Sequence, residues 1–271
     1  TAEVTGMAAG DFTVVNNTAT VLGGIYTRNS RNYLSSYHYD SGDYGMACNG
    51  YQLPIDKGVL IATARQATRT YSGSTYVPTI STDRAIKEGS QGVVVHKAAS
   101  AVTEGDSDFA AAWFTYSDGF SGGHVDTTLA VAASGGKTPT VSSGGLAGSY
   151  RITLAGTSAK DGVLFVTAQN AAKNTTASAA PSADGSGWDV VTRTNQGAFG
   201  YTAERFGYVY LPYNSDKVMI GHVGSNGVIK KSNGRATVTR QGKGVYRVRI
   251  PGGSPEQGVL MLNGYGQTSG A

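Results

Sequence analysis

The stretch SYRITLAGTSAKDGVLFVTAQN at residues 149–170 is written again, 96 residues later, as VYRVRIPGGSPEQGVLMLNGYG at residues 245–266. Seven of the twenty-two positions are identical, among them Tyr150/Tyr246, Arg151/Arg247, Gly162/Gly258, Val163/Val259 and Leu164/Leu260. Tyr150, Ile152 and Leu154 alternate with Arg151 and Thr153, the signature of a half-buried strand. A Gly/Ser loop follows, and GVLFV reads as a strand apolar on both faces. A chain that carries this phrase twice is committed to building one strand-loop-strand unit twice.

Other landmarks keep the same order. YQLPIDKGVLIATARQ at residues 51–66 reads as a shortened copy that has lost five residues between Tyr51 and Gly58. Gly123-His124-Val125 and Gly221-His222-Val223 each follow an aromatic strand, FAAAWFTY at 109–116 and FGYVYLPY at 206–213, and GVVVH at 92–96 matches WDVVT at 188–192. A repeat of about 100 residues is too long for a solenoid unit and suits a β-sandwich module. The expected fold is therefore all-β, with two tandem, jelly-roll-like sandwich modules. Residues 1–155 form the first, completed by an irregular, Tyr-rich segment over residues 1–57, and residues 156–271 form the second as its internal repeat.

Composition agrees with this class. The chain has 39 Gly in 271 residues and only 15% charged residues, and no window sustains the apolar spacing of a long helix. No apolar run reaches the roughly 18–20 residues of a membrane span, so membrane insertion is not expected. Cys48 stands alone, which excludes an internal disulfide and a cysteine metal cluster. Low charge with abundant Thr, Ser, Gly, Asn and Tyr is a common look of extracellular appendage proteins, so a secreted, cell-surface or virion-surface protein is expected; the opening at Thr1 suits a mature secreted product and an excised fragment equally well.

The text Tyr150–Val166 and Tyr246–Leu262, with the GYVYLPY strand as a second point, resembles the repeated β-rich modules of large secreted or surface proteins of environmental bacteria. The resemblance implies a fold and a surface setting; it carries no catalytic residues.

Catalytic chemistry has few candidates. The four histidines are His38, His96, His124 and His222, of which His124 and His222 hold equivalent places. Their surroundings differ, HVDTT against HVGSN, so a strand-end structural role is expected, and no catalytic residue is assigned. No nucleophile elbow, phosphate loop or zinc spacing occurs. No cofactor is expected, with calcium as the single metal candidate: Glu104, Asp106 and Asp108 stand at alternate positions, the oxygen spacing of a calcium loop's first turn, although the rest of that loop's signature is missing.

Two sets of residues are candidate ligand contacts. Tyr33, Tyr37, Tyr39 and Tyr44 in NYLSSYHYDSGDYG offer flat faces with polar tips on which sugar rings can stack. Arg247 and Arg249 belong to a run of seven basic residues between Lys230 and Arg249 that contains no acidic one. RATVTRQGKGVYRVRI reads as a hairpin with Tyr246, Val248 and Ile250 inward and both arginines outward. An acidic polysaccharide or a neighbouring subunit fits this charge, as does an edge strand kept unpaired by its cations. Nucleic acid does not, because the hairpin's one aromatic faces inward.

The expected function is a non-enzymatic extracellular structural or adhesion protein that self-associates or joins a neighbouring surface protein. The alternatives are a glycan- or receptor-binding module of a surface or phage appendage, and a polysaccharide lyase.

Overall fold

A computed structural model describes residues 2–4, 12–17, 34–40, 43–48, 51–64, 69–71, 74–76, 78–87, 90–97, 109–117, 120–170, 174–194, 200–216, 218–252 and 259–264. The fold is all-β, with no helix among the described residues. The strand Phe206–Pro212 explains the architecture. It lies between Ser121–Val125 and Gly162–Ala168 in one antiparallel sheet, and its two faces serve two cores. Val209 and Leu211 enter one; Phe206, Tyr208 and Tyr210 enter the other. The neighbouring strand obeys the same parity, Val163 and Phe165 on one side, Leu164 and Val166 on the other. This is why both strands are apolar at consecutive positions, where an alternating pattern would leave one core empty.

The pattern occurs three times. Val59 and Ile61, Val163 and Phe165, Val259 and Met261 all belong to one shared core. Leu60 with Ala62, Leu164 with Val166, and Leu260 with Leu262 belong to three separate cores. Three inner sheets thus back onto a common centre, and each is covered on its other face by an outer sheet. The outer sheets run Leu34–Asp40, Asp43–Cys48, Ser90–Lys97, Pro78–Lys87 in the first repeat and Pro139–Ser143, Ser149–Leu154, Trp188–Thr194, Thr175–Pro181 in the second. In the third, Thr237–Gly242 and Val245–Arg249 are joined by Ala2–Val4.

The N-terminal strands are what the sequence misleads on. Phe12–Asn17 inserts between Val218–Val223 and Leu260–Gly264, and Ala2–Val4 pairs with Val245–Arg249. Registers agree across the repeats: Phe109, Phe206 and Phe12 stand opposite Ala64, Ala168 and Gly264, each six residues beyond the glycine of a GVL triplet. Residues 1–57 are therefore divided. The strands Leu34–Asp40, Asp43–Cys48 and Tyr51–Gln52 belong with the first repeat, whereas 2–4 and 12–17 supply strands to the last. The cut at residue 155 into two modules does not describe cores that number three around a fourth.

Two alignments change as well. The tyrosine of the first copy is Tyr44, not Tyr51: Tyr44 pairs with Val93 as Tyr150 pairs with Val190, and the rings of Tyr44 and Tyr150 pack on Phe109 and Phe206 at 5.0 and 4.9 Å. The first copy is thus not shortened. That pairing also aligns Val93 with Val190, one residue away from the match read in GVVVH and WDVVT, and an irregularity between Ser90 and Gly92 accompanies the slip. Trp113, 4% exposed, lies in the outer-facing core of the first repeat, with Tyr210 at the matching place of the second.

Candidate functional site

Inner sheets meet at seams, and each GHV triplet sits at one. His124 and His222 occupy the same position: both strands continue into a hairpin with a register shift immediately after the histidine. Their surroundings then diverge.

At the first seam the histidine is sealed in. His124 is fully buried, with Nε2 3.0 Å from the carbonyl oxygen of Gly58 and Nδ1 2.9 Å from Nε2 of Gln169. Because Gly58 offers only an acceptor, Nε2 must carry the proton and Nδ1 must accept from the amide. The Gln169 oxygen in turn accepts from Arg84 Nε at 2.9 Å, and Arg84 reaches Asp126 Oδ1 at 2.7 Å and the Val125 carbonyl at 2.8 Å. Burial, aided by the Arg84 charge, lowers the His124 pKa, and burial likewise lowers that of Arg84. The chain Arg84, Gln169, His124, Gly58 is complete with a neutral imidazole, and it ties the first repeat to the second.

At the second seam a cleft of about 360 Å³ is open, within the size range of small-ligand sites. Its floor comes from the second repeat: Val163 and Leu164 of the inner strand, Ala179, Pro181 and Trp188 of the outer sheet. Its rim comes from Lys160 in the loop before Gly162, Tyr213 after the aromatic strand, and His222, Lys230 and Lys231 of the next hairpin. Gln91 of the first repeat takes the place of Trp188 by register, and it spends its amide on the carbonyls of Leu53 and Gly58 and on the Leu60 N–H. The same framework is therefore closed by polar side chains at one seam, whereas at the other an indole that is itself only 1% exposed lies beneath an open cleft.

The cleft's electrostatics are positive. Lys231 stands opposite His222 in the hairpin, donates to the Lys160 carbonyl, and holds its ammonium 4.6 Å from the centre of the Tyr213 ring. Asp161, beside Lys160, is already engaged: its carboxylate accepts from the Ser158 hydroxyl at 2.9 Å and the Ser158 N–H at 3.1 Å, which lowers its pKa. The Tyr213 phenol is pushed up to about 12 by burial, so at neutral pH it is a hydroxyl. Trp188 packs on Tyr210 with ring centres 5.3 Å apart, and its buried Nε1 has no hydrogen-bond partner among the described residues.

Of the ligand contacts proposed from sequence, the described Tyr44, Arg247 and Arg249 do not line this cleft. Tyr44 is half-buried, with its ring edge-on to Phe109 in a core contact. Tyr37 and Tyr39 lie on the strand Leu34–Asp40; their side chains, and all of Tyr33, are outside the described residues. Arg247 and Arg249 project outward from Val245–Arg249 as the alternation requires, with Tyr246 and Val248 buried. The register sets Glu3 opposite Arg247, an acidic position that the local sequence does not reveal. Arg151 faces Asp189 in the same way in the second repeat, at 2.7 Å. Glu104, Asp106 and Asp108 lie outside the described residues, among which no three His, Cys, Asp or Glu side chains group to hold a metal ion. Of the cleft residues, His222 stands in the repeated GHV triplet and Lys230 and Lys231 open the basic run, but their union with Lys160, Trp188 and Tyr213 has no local signal, because these come from separated stretches that only the seam unites.

No family model, no curated protein and no solved structure matches this chain.

Proposed function

We propose that the chain is a non-enzymatic building block of an extracellular surface or appendage, with a glycan-binding cleft at its second seam. The observation that carries this reading is the divergence of equivalent seams. A histidine repeated for catalysis would keep its partners; here His124 is sealed between Gly58 and Gln169 while His222 lines an open cleft. The scaffold is reused and the polar chemistry is not. The partly buried Tyr213 phenol and the lysine stems at the rim give a sugar ring an amphipathic edge to rest on, above buried apolar side chains. A protein meant for surface assembly also has reason to occupy its sheet edges, as the pairing of Ala2–Val4 with Val245–Arg249 does.

A lyase reading draws on Tyr213, His222 and the lysines in one cleft. It is disfavoured because a phenol pushed up to about 12 is a poor base at neutral pH. Incubating the protein with a panel of acidic and neutral polysaccharides, while recording both retention on a glycan array and release of unsaturated products, separates the readings. Retention without products is the expected outcome; products that accumulate catalytically would make it an enzyme, and the failure of every glycan to bind would leave the cleft unexplained.

A further inference from the structure

Resting on the glycan-binding reading, we propose that the cleft between Trp188 and Lys231 selects acidic saccharides, those bearing a carboxylate or sulfate group. Three cationic side chains, Lys160, Lys230 and Lys231, surround one opening. The adjoining carboxylate, Asp161, accepts from its own Ser158 turn and does not line the cleft, but its charge acts on Lys231 and Lys160 and so offsets one of the three cations. Among the described residues lining the opening, a ligand therefore meets lysines and no carboxylate, above apolar side chains that are themselves buried, an arrangement that favours a sugar bearing an acidic group over a neutral one.

Geometry makes this more than a loose gathering of surface lysines. Lys231 is fixed by the Lys160 carbonyl and the Tyr213 ring, so its charge is set at the rim before any ligand arrives, and less ordering is left to do on binding. Tyr213 remains a hydroxyl through the physiological range, able to donate to an anionic oxygen without repelling it. The seam itself supplies contrast. The first repeat fills the matching place with Gln91, whose amide is spent on backbone groups, and with His124, whose two nitrogens are both bonded. A cleft that existed only because sheets pack imperfectly would leave no reason for the cations to gather at the seam that is open.

The basic hairpin at Arg247 and Arg249 is a rival location for the same ligand chemistry, although its register sets an acidic position, Glu3, opposite Arg247. The two are separable by experiment. The full chain would be titrated with a uronate tetrasaccharide, a sulfated tetrasaccharide and a neutral tetrasaccharide, following calorimetry and tryptophan fluorescence at low and at physiological salt. Trp188 and Trp113 are the two tryptophans, and only Trp188 lines the cleft.

The expected result is that an acidic tetrasaccharide binds about tenfold or more tightly than the neutral one, a difference of about 1.4 kcal/mol. Its affinity should fall with salt, fall again in the Lys230→Gln/Lys231→Gln variant, and stay unchanged in Arg247→Gln/Arg249→Gln. Whether the uronate or the sulfated arm is preferred identifies the source of the charge. Equal binding of neutral and acidic sugars, with no effect of the lysine changes, would overturn the selectivity while leaving the glycan-binding reading intact. Loss confined to the arginine variant would move the charge recognition to the hairpin and overturn the proposal. If no tetrasaccharide perturbs either signal, both the proposal and the reading beneath it fail.

Discussion

At the residue scale, the glycine of the GVL triplet is fixed by close approach. A Cβ at Gly58 would lie 2.4 Å from the Phe114 carbonyl oxygen and 2.8 Å from the Trp113 ring. At Gly162 it would lie 2.4 Å from the Leu211 oxygen and 2.6 Å from the Tyr210 ring. Both glycines are the first residues of their strands, so their repetition records packing against the aromatic strand and not a turn. Gly58→Ala and Gly162→Ala should each destabilise the protein by about 1–3 kcal/mol, as overpacking does; urea unfolding of the two variants measures this. His124 supports a second expectation. It is held neutral when folded, whereas the unfolded chain takes up a proton near pH 6.5. The unfolded state thus binds more protons below that pH, and stability present at about pH 7.5 should decline as the pH falls toward about 5.5. Burial of His96 adds in the same direction. Because burial is what opposes a charge on His124, His124→Gln should flatten the pH dependence even where it lowers stability overall. An unaltered slope would mean that other groups produce it.

At the scale of elements, the hairpin Thr237–Gly242 and Val245–Arg249 is legible in the sequence, including which residues face inward, because alternation and the Gly-Lys-Gly turn specify both. Its charge balance is not legible, because the strand that carries Glu3 is more than two hundred residues away in sequence. Reversing the charge in Arg247→Glu should cost about 0.2–1 kcal/mol, the range of cross-strand charge pairs. The double change Glu3→Lys/Arg247→Glu should recover most of that loss. Additive effects in the double-mutant cycle would show that the two groups do not interact. Tyr44 teaches the complementary lesson: within a Tyr-rich passage nothing local distinguishes a core tyrosine from an exposed one, and only its pairing with Val93 and its contact with Phe109 identify it as the counterpart of Tyr150.

For the whole molecule, the important contacts cross between repeats. Arg84 of the first repeat bonds Gln169 of the second and Asp126 beyond it, and its own side chain is only 10% exposed. Replacing it by Met should destabilise the protein by about 1–3 kcal/mol, chiefly through the polar groups left without a partner. The loss should appear as reduced amide protection at the seam around Gln169 and His124 before the outer sheets open. Uniform loss of protection throughout would indicate that the repeats unfold as a single unit and that the seam has no separate stability.

What the sequence by itself determined is the all-β class and the strand text of the repeat, because the apolar periodicity of each strand, the scarcity of helix-forming windows and the turn glycines are local properties. The cleft, the sealed seam and the sharing of one central core were decided by tertiary structure alone. Each depends on which strand lies beside which. A strand apolar on both faces, such as GVLFV or FGYVYLP, declares that it is covered twice without declaring by what. Phe12–Asn17 lies between strands that begin at Val218 and Leu260, and no short-range pattern encodes a neighbour at that distance along the chain.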